Sequence, residues 1–158
     1  MITISLCMIV KNEEKILKRC LDSVADLVDE IVIVDTGSAD STKQIAAEYT
    51  QQVYDYVWRD DFSAARNFAF SKATKEYIYS ADADEVLDAE NRRRFLQLKA
   101  TLLPEVEIVQ MKYANQLQFS TVYNYDEEYR PKLFKRLRGF VWEAPIHETV
   151  RLMPVVYD

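Results

Sequence analysis

The fold is decided by the first apolar run of the chain, ITISLCMIV at residues 2–10, and by the polar residues Lys11-Asn12-Glu13 that follow it. The run is too short to span a bilayer, and no basic region precedes it as in a signal peptide. Three further apolar runs follow amphipathic ones, at residues 30–34, 52–57 and 77–81. This alternation predicts an α/β fold in which a parallel, Rossmann-like sheet has helices on both faces.

The amphipathic runs show the spacing of helices. Residues 13–25 place their apolar side chains on one face, and Asn12 stands where an N-cap is expected. Ser41 and Gln44 have the spacing of a capping box, which predicts the start of a second helix. A third helix is predicted at about residues 62–73.

The pattern changes beyond Pro104, which ends the last helical run. Residues 107–125 and 132–142 are rich in Val, Ile, Tyr and Phe with partial alternation. Such runs are typical of longer antiparallel strands. The sheet is therefore predicted to be mixed, with antiparallel strands in its C-terminal half.

The length fits one domain, because 158 residues suffice for a single core and not for two ordinary ones. We expect this domain to have two halves, at residues 1–103 and 104–158. Residues 151–158 are strand-like and no helix follows them, so we expect a C-terminally truncated domain.

The charge balance excludes one class of partner. Lys and Arg number 20 against 26 Asp and Glu, a formal charge of −6, whereas a nucleic-acid surface needs a basic excess. Cys7 and Cys20 lie in apolar settings, so we expect reduced thiols in a cytoplasmic protein, with a disulfide as the alternative.

Polar clusters follow three predicted strands at their carboxyl ends, where a doubly wound sheet binds its ligand. The clusters are Lys11, Asn12 and Glu13, then Asp35, Thr36, Gly37 and Ser38, then Asp82, Asp84 and Glu85. An extended backbone would turn Asp82 and Asp84 to one side, where two carboxylates can share Mg²⁺ or Mn²⁺ with a diphosphate. The cation would act as a Lewis acid for the departing diphosphate. The alternative is that these acids cap the following helix.

Three other side chains have both a functional and a structural interpretation. Asp35 either accepts from a base N–H or a ribose hydroxyl, or serves the turn that follows it. Arg66 either clamps a phosphate or orients a site carboxylate, or forms a surface salt bridge. His147, the only histidine, is followed by Glu148 and is either a metal ligand or base, or structural.

Several motifs in one order resemble a known family. The segments ISLCMIVKNEE at 4–14, VDTGSADST at 34–42 and DADE at 82–85 resemble the large family 2 of inverting glycosyltransferases with the GT-A fold. DFSAARN at 61–67 and WEAPIHE at 142–148 resemble its bacterial branch, which includes lipopolysaccharide-core glucosyltransferase-like and tetratricopeptide-linked members. The resemblance covers about residues 2–150, and it implies a nucleotide-binding half at residues 1–103 and acceptor-side strands at 104–158.

The resemblance implies a hexosyltransferase-type enzyme of the cell envelope with a UDP-sugar donor, Mn²⁺ or Mg²⁺, and a glycan, lipid-linked or peptide acceptor, with peripheral membrane contact. It implies these roles: Ile9, Val10 and Asn12 line the base pocket, Asp35 contacts the uracil or ribose, Arg66 lies near the nucleotide, Asp82 approaches the ribose and metal, Asp84 ligates the metal, and His147 approaches the metal and diphosphate. Inversion also needs a carboxylate base, for which Glu148 and Glu143 are the candidates.

Two other functions fit parts of the pattern. One is a non-catalytic domain of glycosyltransferase type that binds a nucleotide-sugar or a partner and turns over nothing. The other is a nucleotidyltransferase, which shares strand-end carboxylates and a metal. A nucleotidyltransferase, however, normally has a Gly-rich, basic phosphate loop near the first strand, and this sequence has none.

Overall fold

The computed structural model describes residues 1–113, 128–143 and 149–150. The elements of this part are β1 (Ile4–Val10), α1 (Leu17–Val24), β2 (Glu30–Asp35), α2 (Thr42–Ala47), β3 (Val53–Asp55), α3 (Phe62–Lys72), β4 (Tyr77–Ser80), α4 (Ala89–Thr101), β5 (Ile108–Tyr113), β6 (Glu128–Lys135), β7 (Trp142–Glu143) and β8 (Thr149–Val150).

The main sheet is mixed, as the sequence predicts. Its strand order is β3-β2-β1-β4-β6-β5. The first four strands pair in parallel, and β6 pairs antiparallel with both β4 and β5. Val10 pairs in register with Asp35, and Cys7 pairs with Ser80, so β1, β2 and β4 end at the same edge. Strands β7 and β8 form a separate antiparallel pair.

Both faces of the parallel strands β1, β2 and β4 are buried. Alternate residues of β1, from Ile4 to Val10, pack in one apolar cluster with side chains of α1, α2 and α4. Cys7 faces the opposite way and joins a second cluster with Val32, Val34 and residues of α3. The near-continuous apolar strands follow from this double coverage, which confirms the predicted fold class.

The predicted start of the first helix is wrong, whereas Ser41 does stand at the N-cap of the second, without the predicted capping bond. Helix α1 begins at Leu17, and Asn12 does not cap it but has a φ of 52°. Helix α2 begins at Thr42 without a cap bond from Ser41, while Asp40 accepts from the Thr42 backbone N–H at 3.0 Å. The polar side chains take other partners, across the two loops for Asn12 and within the second loop for Asp40.

The C-terminal strands differ from the prediction in their bounds. Strand β6 ends at Lys135, where a 3₁₀ turn, Arg136–Arg138, leads to Gly139 in the left-handed region at φ 64°. The prediction of a strand that continues over residues 132–142 is therefore wrong, because Gly139 turns the chain out of the sheet. The register of β5 and β6 shifts beside Pro131, which lacks a backbone N–H. Residues 151–158 lie outside the described part.

Cys7 and Cys20 are both free and buried. In the described segments, no helix is long and apolar enough to cross a membrane.

Candidate functional site

The loops after β1 and β2 are joined by Asn12. Its backbone N–H donates to Oγ of Ser38 at 2.9 Å, and its Oδ1 accepts from the Ala39 N–H at 2.8 Å. The next residue, Glu13, donates its backbone N–H to Oγ1 of Thr42 at 2.8 Å. These bonds hold Asn12 in a left-handed conformation that is costly for a residue other than glycine, so the loop pair is a fixed frame.

Asp35 uses its two carboxylate oxygens differently. Oδ1 accepts from the backbone N–H groups of Gly37 at 2.9 Å and Ser38 at 2.8 Å, in a turn where Gly37 has φ 115°. Oδ2 is buried and has no hydrogen-bond partner among the described residues, and Asp35 as a whole is 2% exposed. An unpaired buried oxygen is costly, so Oδ2 is available to a donor group brought by a ligand.

Asp82 and Asp84 lie in a turn rather than in the extended backbone that was expected. The Glu85 N–H donates to the Asp82 carbonyl at 3.0 Å, Ala83 is buried and Asp84 is exposed. The N-cap of α4 is Asp88, whose Oδ1 accepts from the Asn91 N–H at 2.8 Å. The capping alternative is therefore wrong for Asp82 and Asp84, and their carboxylates are not used to start a helix.

Arg66 forms an ion pair with Asp82, with 2.9 Å between Nη2 and Oδ1. The Arg66 side chain is only 11% exposed, so this is not the surface salt bridge of the structural alternative. Burial acts to raise the pKa of Asp82, but the charges of Arg66 and Lys132 outweigh it and hold this pKa below its usual value. Asp82 is thereby kept ionised at the edge of the sheet.

A second ion pair lies beside the first. Lys132 of β6 contacts the Glu85 carboxylate, and the two side chains are 11% and 13% exposed. Burial raises the pKa of Glu85, while Lys132 opposes that shift. No sequence pattern predicts this role of Lys132, since its partner depends on β6 lying next to β4.

Acidic residues of all three loops influence one another electrostatically. Burial raises the pKa of Glu13, and the negative charges of Asp84, Asp40 and Asp82 raise it further. Such mutual repulsion favours a bound cation, and carboxylate oxygens are ligands that Mg²⁺ and Mn²⁺ prefer. In the described part no group of three acidic, histidine or cysteine side chains can hold a metal alone. The residues fit a cation that takes its other ligands from a diphosphate and water.

The other predicted site residues are placed as follows. The side chain of Val10 is buried in the core, and its carbonyl accepts from the Thr36 N–H at 3.0 Å, while Ile9 packs on the α3 side of the sheet. Glu143 belongs to β7. His147 and Glu148 lie outside the described residues.

Asn67 is a residue of this region that the sequence did not single out. Its side-chain amide bonds to both backbone groups of Trp142, and the Trp142 ring lies 5.1 Å from the Arg66 guanidinium carbon. No local pattern predicts such a contact, because it joins α3 to a strand far along the chain.

The sheet carries polar loops and an acidic turn at one carboxyl edge, which is where an open α/β domain binds its ligand. A family model described as Glycosyl transferase family 2 matches residues 5–153. The chain belongs to this glycosyltransferase family, which confirms the family 2 resemblance drawn from its motifs. The lipopolysaccharide-core branch stays a prediction.

Two curated relatives and one solved structure give the extent of the similarity. The chain is 38% identical over 152 residues to a TPR repeat-containing protein of Synechococcus elongatus, in an alignment that covers 95% of this chain and 36% of the relative. It is 38% identical over 102 residues to the SPbeta prophage-derived glycosyltransferase SunS of Bacillus subtilis, covering 63% of this chain and 24% of SunS. The chain thus spans about a third or less of either relative. The structure of Staphylococcus aureus TarS 1–349 shares the fold at a TM-score of 0.56 and 19% identity, over 85% of this chain and 47% of that one.

Proposed function

We propose that this chain binds a nucleotide diphosphate sugar, with UDP as the nucleotide, and transfers the sugar with inversion. The observation that carries the proposal is the unpartnered Oδ2 of Asp35, buried at the sheet edge where the ion-paired Asp82 and the exposed Asp84 also lie. Membership of the glycosyltransferase family supports it.

In this proposal the nucleoside lies against the loops after β1 and β2. Oδ2 of Asp35 accepts from the uracil N–H or a ribose hydroxyl, while Oδ1 keeps the turn closed. Asn12 fixes the two loops against each other, so the pocket exists before the ligand arrives. Pre-formed polar groups reduce the entropy lost on binding.

The diphosphate lies against the acidic turn. Asp84 and Asp82 would hold Mn²⁺ or Mg²⁺, with His147 proposed as a further ligand. When bound, the cation neutralises the charge that develops on the departing diphosphate. Arg66 keeps Asp82 ionised and presents a guanidinium near the phosphates, a geometry suited to phosphate oxygens.

Inversion requires a carboxylate that takes the proton of the acceptor hydroxyl. We propose Glu148, or Glu143 of β7, for this role. The acceptor class is a glycan, a lipid-linked molecule or a peptide.

Calorimetric titration tests the donor site. UDP is titrated into the chain with Mn²⁺ and with a chelator, and the titration is repeated with ADP, GDP and CDP. We expect binding that prefers UDP and weakens when the cation is removed. Absence of binding by every nucleotide would contradict the proposal. UDP binding without hydrolysis or transfer of a UDP-sugar would instead support the non-catalytic nucleotide-sugar-binding domain.

A further inference from the structure

Asn67 ties helix α3 to strand β7 through one amide. Its Nδ2 donates to the carbonyl of Trp142 at 3.0 Å, and its Oδ1 accepts from the Trp142 N–H at 2.7 Å. These are the two bonds that a residue of a neighbouring antiparallel strand would make. Strand β7 has two residues and, within the described segments, pairs only with β8, so the Asn67 side chain takes the place of a strand on its other side.

The backbone held in this way carries the Trp142 indole. The ring lies 5.8 Å from the ring centres of Phe70 and Phe134 and 5.1 Å from the Arg66 guanidinium carbon. A guanidinium at this distance is attracted to the face of an indole. The aromatic cluster therefore supports the same guanidinium that forms the ion pair with Asp82.

Asn67 cannot place Arg66 directly. The two residues are adjacent on α3, and adjacent residues of a helix point about 100° apart. The contacts instead run from the Asn67 amide to the Trp142 backbone, from the Trp142 ring to Arg66, and from Arg66 to Asp82 at 2.9 Å.

We propose that Asn67 is a positioning residue of the donor site, which acts through Trp142 to hold the Arg66 guanidinium against Asp82. This rests on the proposed function in one respect, that Asp82 and Arg66 serve the nucleotide. The contact between Asn67 and Trp142 can be tested without any nucleotide.

Fluorescence tests the contact. The chain has two tryptophans, so Trp58→Phe leaves Trp142 as the single reporter. In that background Asn67→Ala should shift the Trp142 emission to longer wavelength and increase its quenching by acrylamide. The control Asn91→Ala changes an exposed asparagine of α4 and should do neither. Arg66→Ala should alter the emission when Asn67 is present and have little effect once Asn67 is alanine.

Nucleotide titration tests the functional consequence. Asn67→Ala should weaken Mn²⁺-dependent UDP binding about tenfold, and the loss should nearly vanish in an Arg66→Ala background, because residues that act as one unit are not additive. A merely structural role would give the same loss in both backgrounds and would contradict the proposal, as would an unchanged Trp142 emission.

Two further outcomes are distinguishable. If the unmutated chain binds no nucleotide, the proposed function is wrong, and the emission series still decides whether Asn67 holds Trp142 under Arg66. If Asn67→Ala does not fold, Asn67→Asp replaces it, since the carboxylate keeps an acceptor for the Trp142 N–H but loses the donor to its carbonyl. The same emission shift and the same non-additivity with Arg66→Ala are then expected.

Discussion

Nη2 of Arg66 lies 2.9 Å from Oδ1 of Asp82, joining the first turns of α3 to the acidic turn after β4. The arginine is nearly buried, whereas Asp82 keeps 40% of its side-chain surface exposed. The guanidinium thus stabilises the carboxylate from inside while leaving part of it open to a ligand. A site that must hold a cation needs its carboxylates ionised beforehand, and this ion pair provides that condition.

Removing Arg66 should move the acid limit of metal-dependent binding to higher pH. The pKa of Asp82 is held down by Arg66 against burial, so in Arg66→Ala the carboxylate takes up a proton at a higher pH than in the unmutated chain. The measurement is Mn²⁺-dependent UDP affinity over a pH series. An acid limb at the same pH in both proteins would contradict this role of Arg66.

The ion pair between Arg66 and Asp82 should also stabilise the fold to an extent that depends on pH. Since the folded-state pKa of Asp82 lies below its unfolded value, its contribution to stability is present above the unfolded pKa and is lost as the pH falls through the folded pKa. Arg66→Ala should therefore lower the free energy of unfolding at neutral pH more than at strongly acidic pH. Urea unfolding at the two pH values measures the difference.

Substitution of Asp84 should affect ligand binding, whereas substitution of Asp88 should affect the stability of α4. Asp84→Ala should abolish the metal-dependent part of UDP binding and change the free energy of unfolding by less than about 0.5 kcal/mol, because the side chain is exposed. Asp88→Ala should destabilise the fold by about 1 kcal/mol, because it removes the cap of α4, and should leave metal-dependent binding intact. Calorimetry and urea unfolding on both variants check this, and the reverse pattern would rule out Asp84 as a ligand.

Replacing Asp35 by Asn should weaken nucleotide binding without opening the turn that follows β2. The asparagine oxygen can still accept from the Gly37 and Ser38 N–H groups. Its amide nitrogen, however, replaces Oδ2 and cannot accept a hydrogen bond from the nucleotide. UDP affinity should fall by about tenfold or more, as for a lost hydrogen bond to a charged group. Asp55→Asn, at the exposed end of β3 in register with Asp35, is the control and should leave affinity unchanged.

Removing Lys132 should destabilise the fold only while Glu85 is present and ionised. Lys132→Met leaves Glu85 buried without its cation, which should cost about 3 kcal/mol at neutral pH. The cost should shrink as the pH falls and Glu85 takes up a proton, since burial already raises its pKa. The double variant Lys132→Met with Glu85→Gln should recover most of the loss in urea unfolding, and failure to recover would mean that the two residues do not act as a pair.

Much of the fold followed from periodicity. The apolar runs at β1, β2 and β4 are buried on both faces, so their strand character did not depend on details of packing. The helix starts were less predictable, because the amides near Asn12 and Ser41 are satisfied by side chains from the neighbouring loop. Short polar residues offer several such partners, and the sequence does not rank them.

By itself the sequence determined that polar clusters would meet at one edge of a sheet, because parallel strands end together and each cluster directly follows its strand. Only the tertiary structure decided which atoms are used there. It left Oδ2 of Asp35 unpaired, placed Lys132 on Glu85, and brought Trp142 to Asn67 across 75 residues of sequence. These contacts depend on how strands and helices far apart in the chain lie against each other, and no local spacing encodes that geometry.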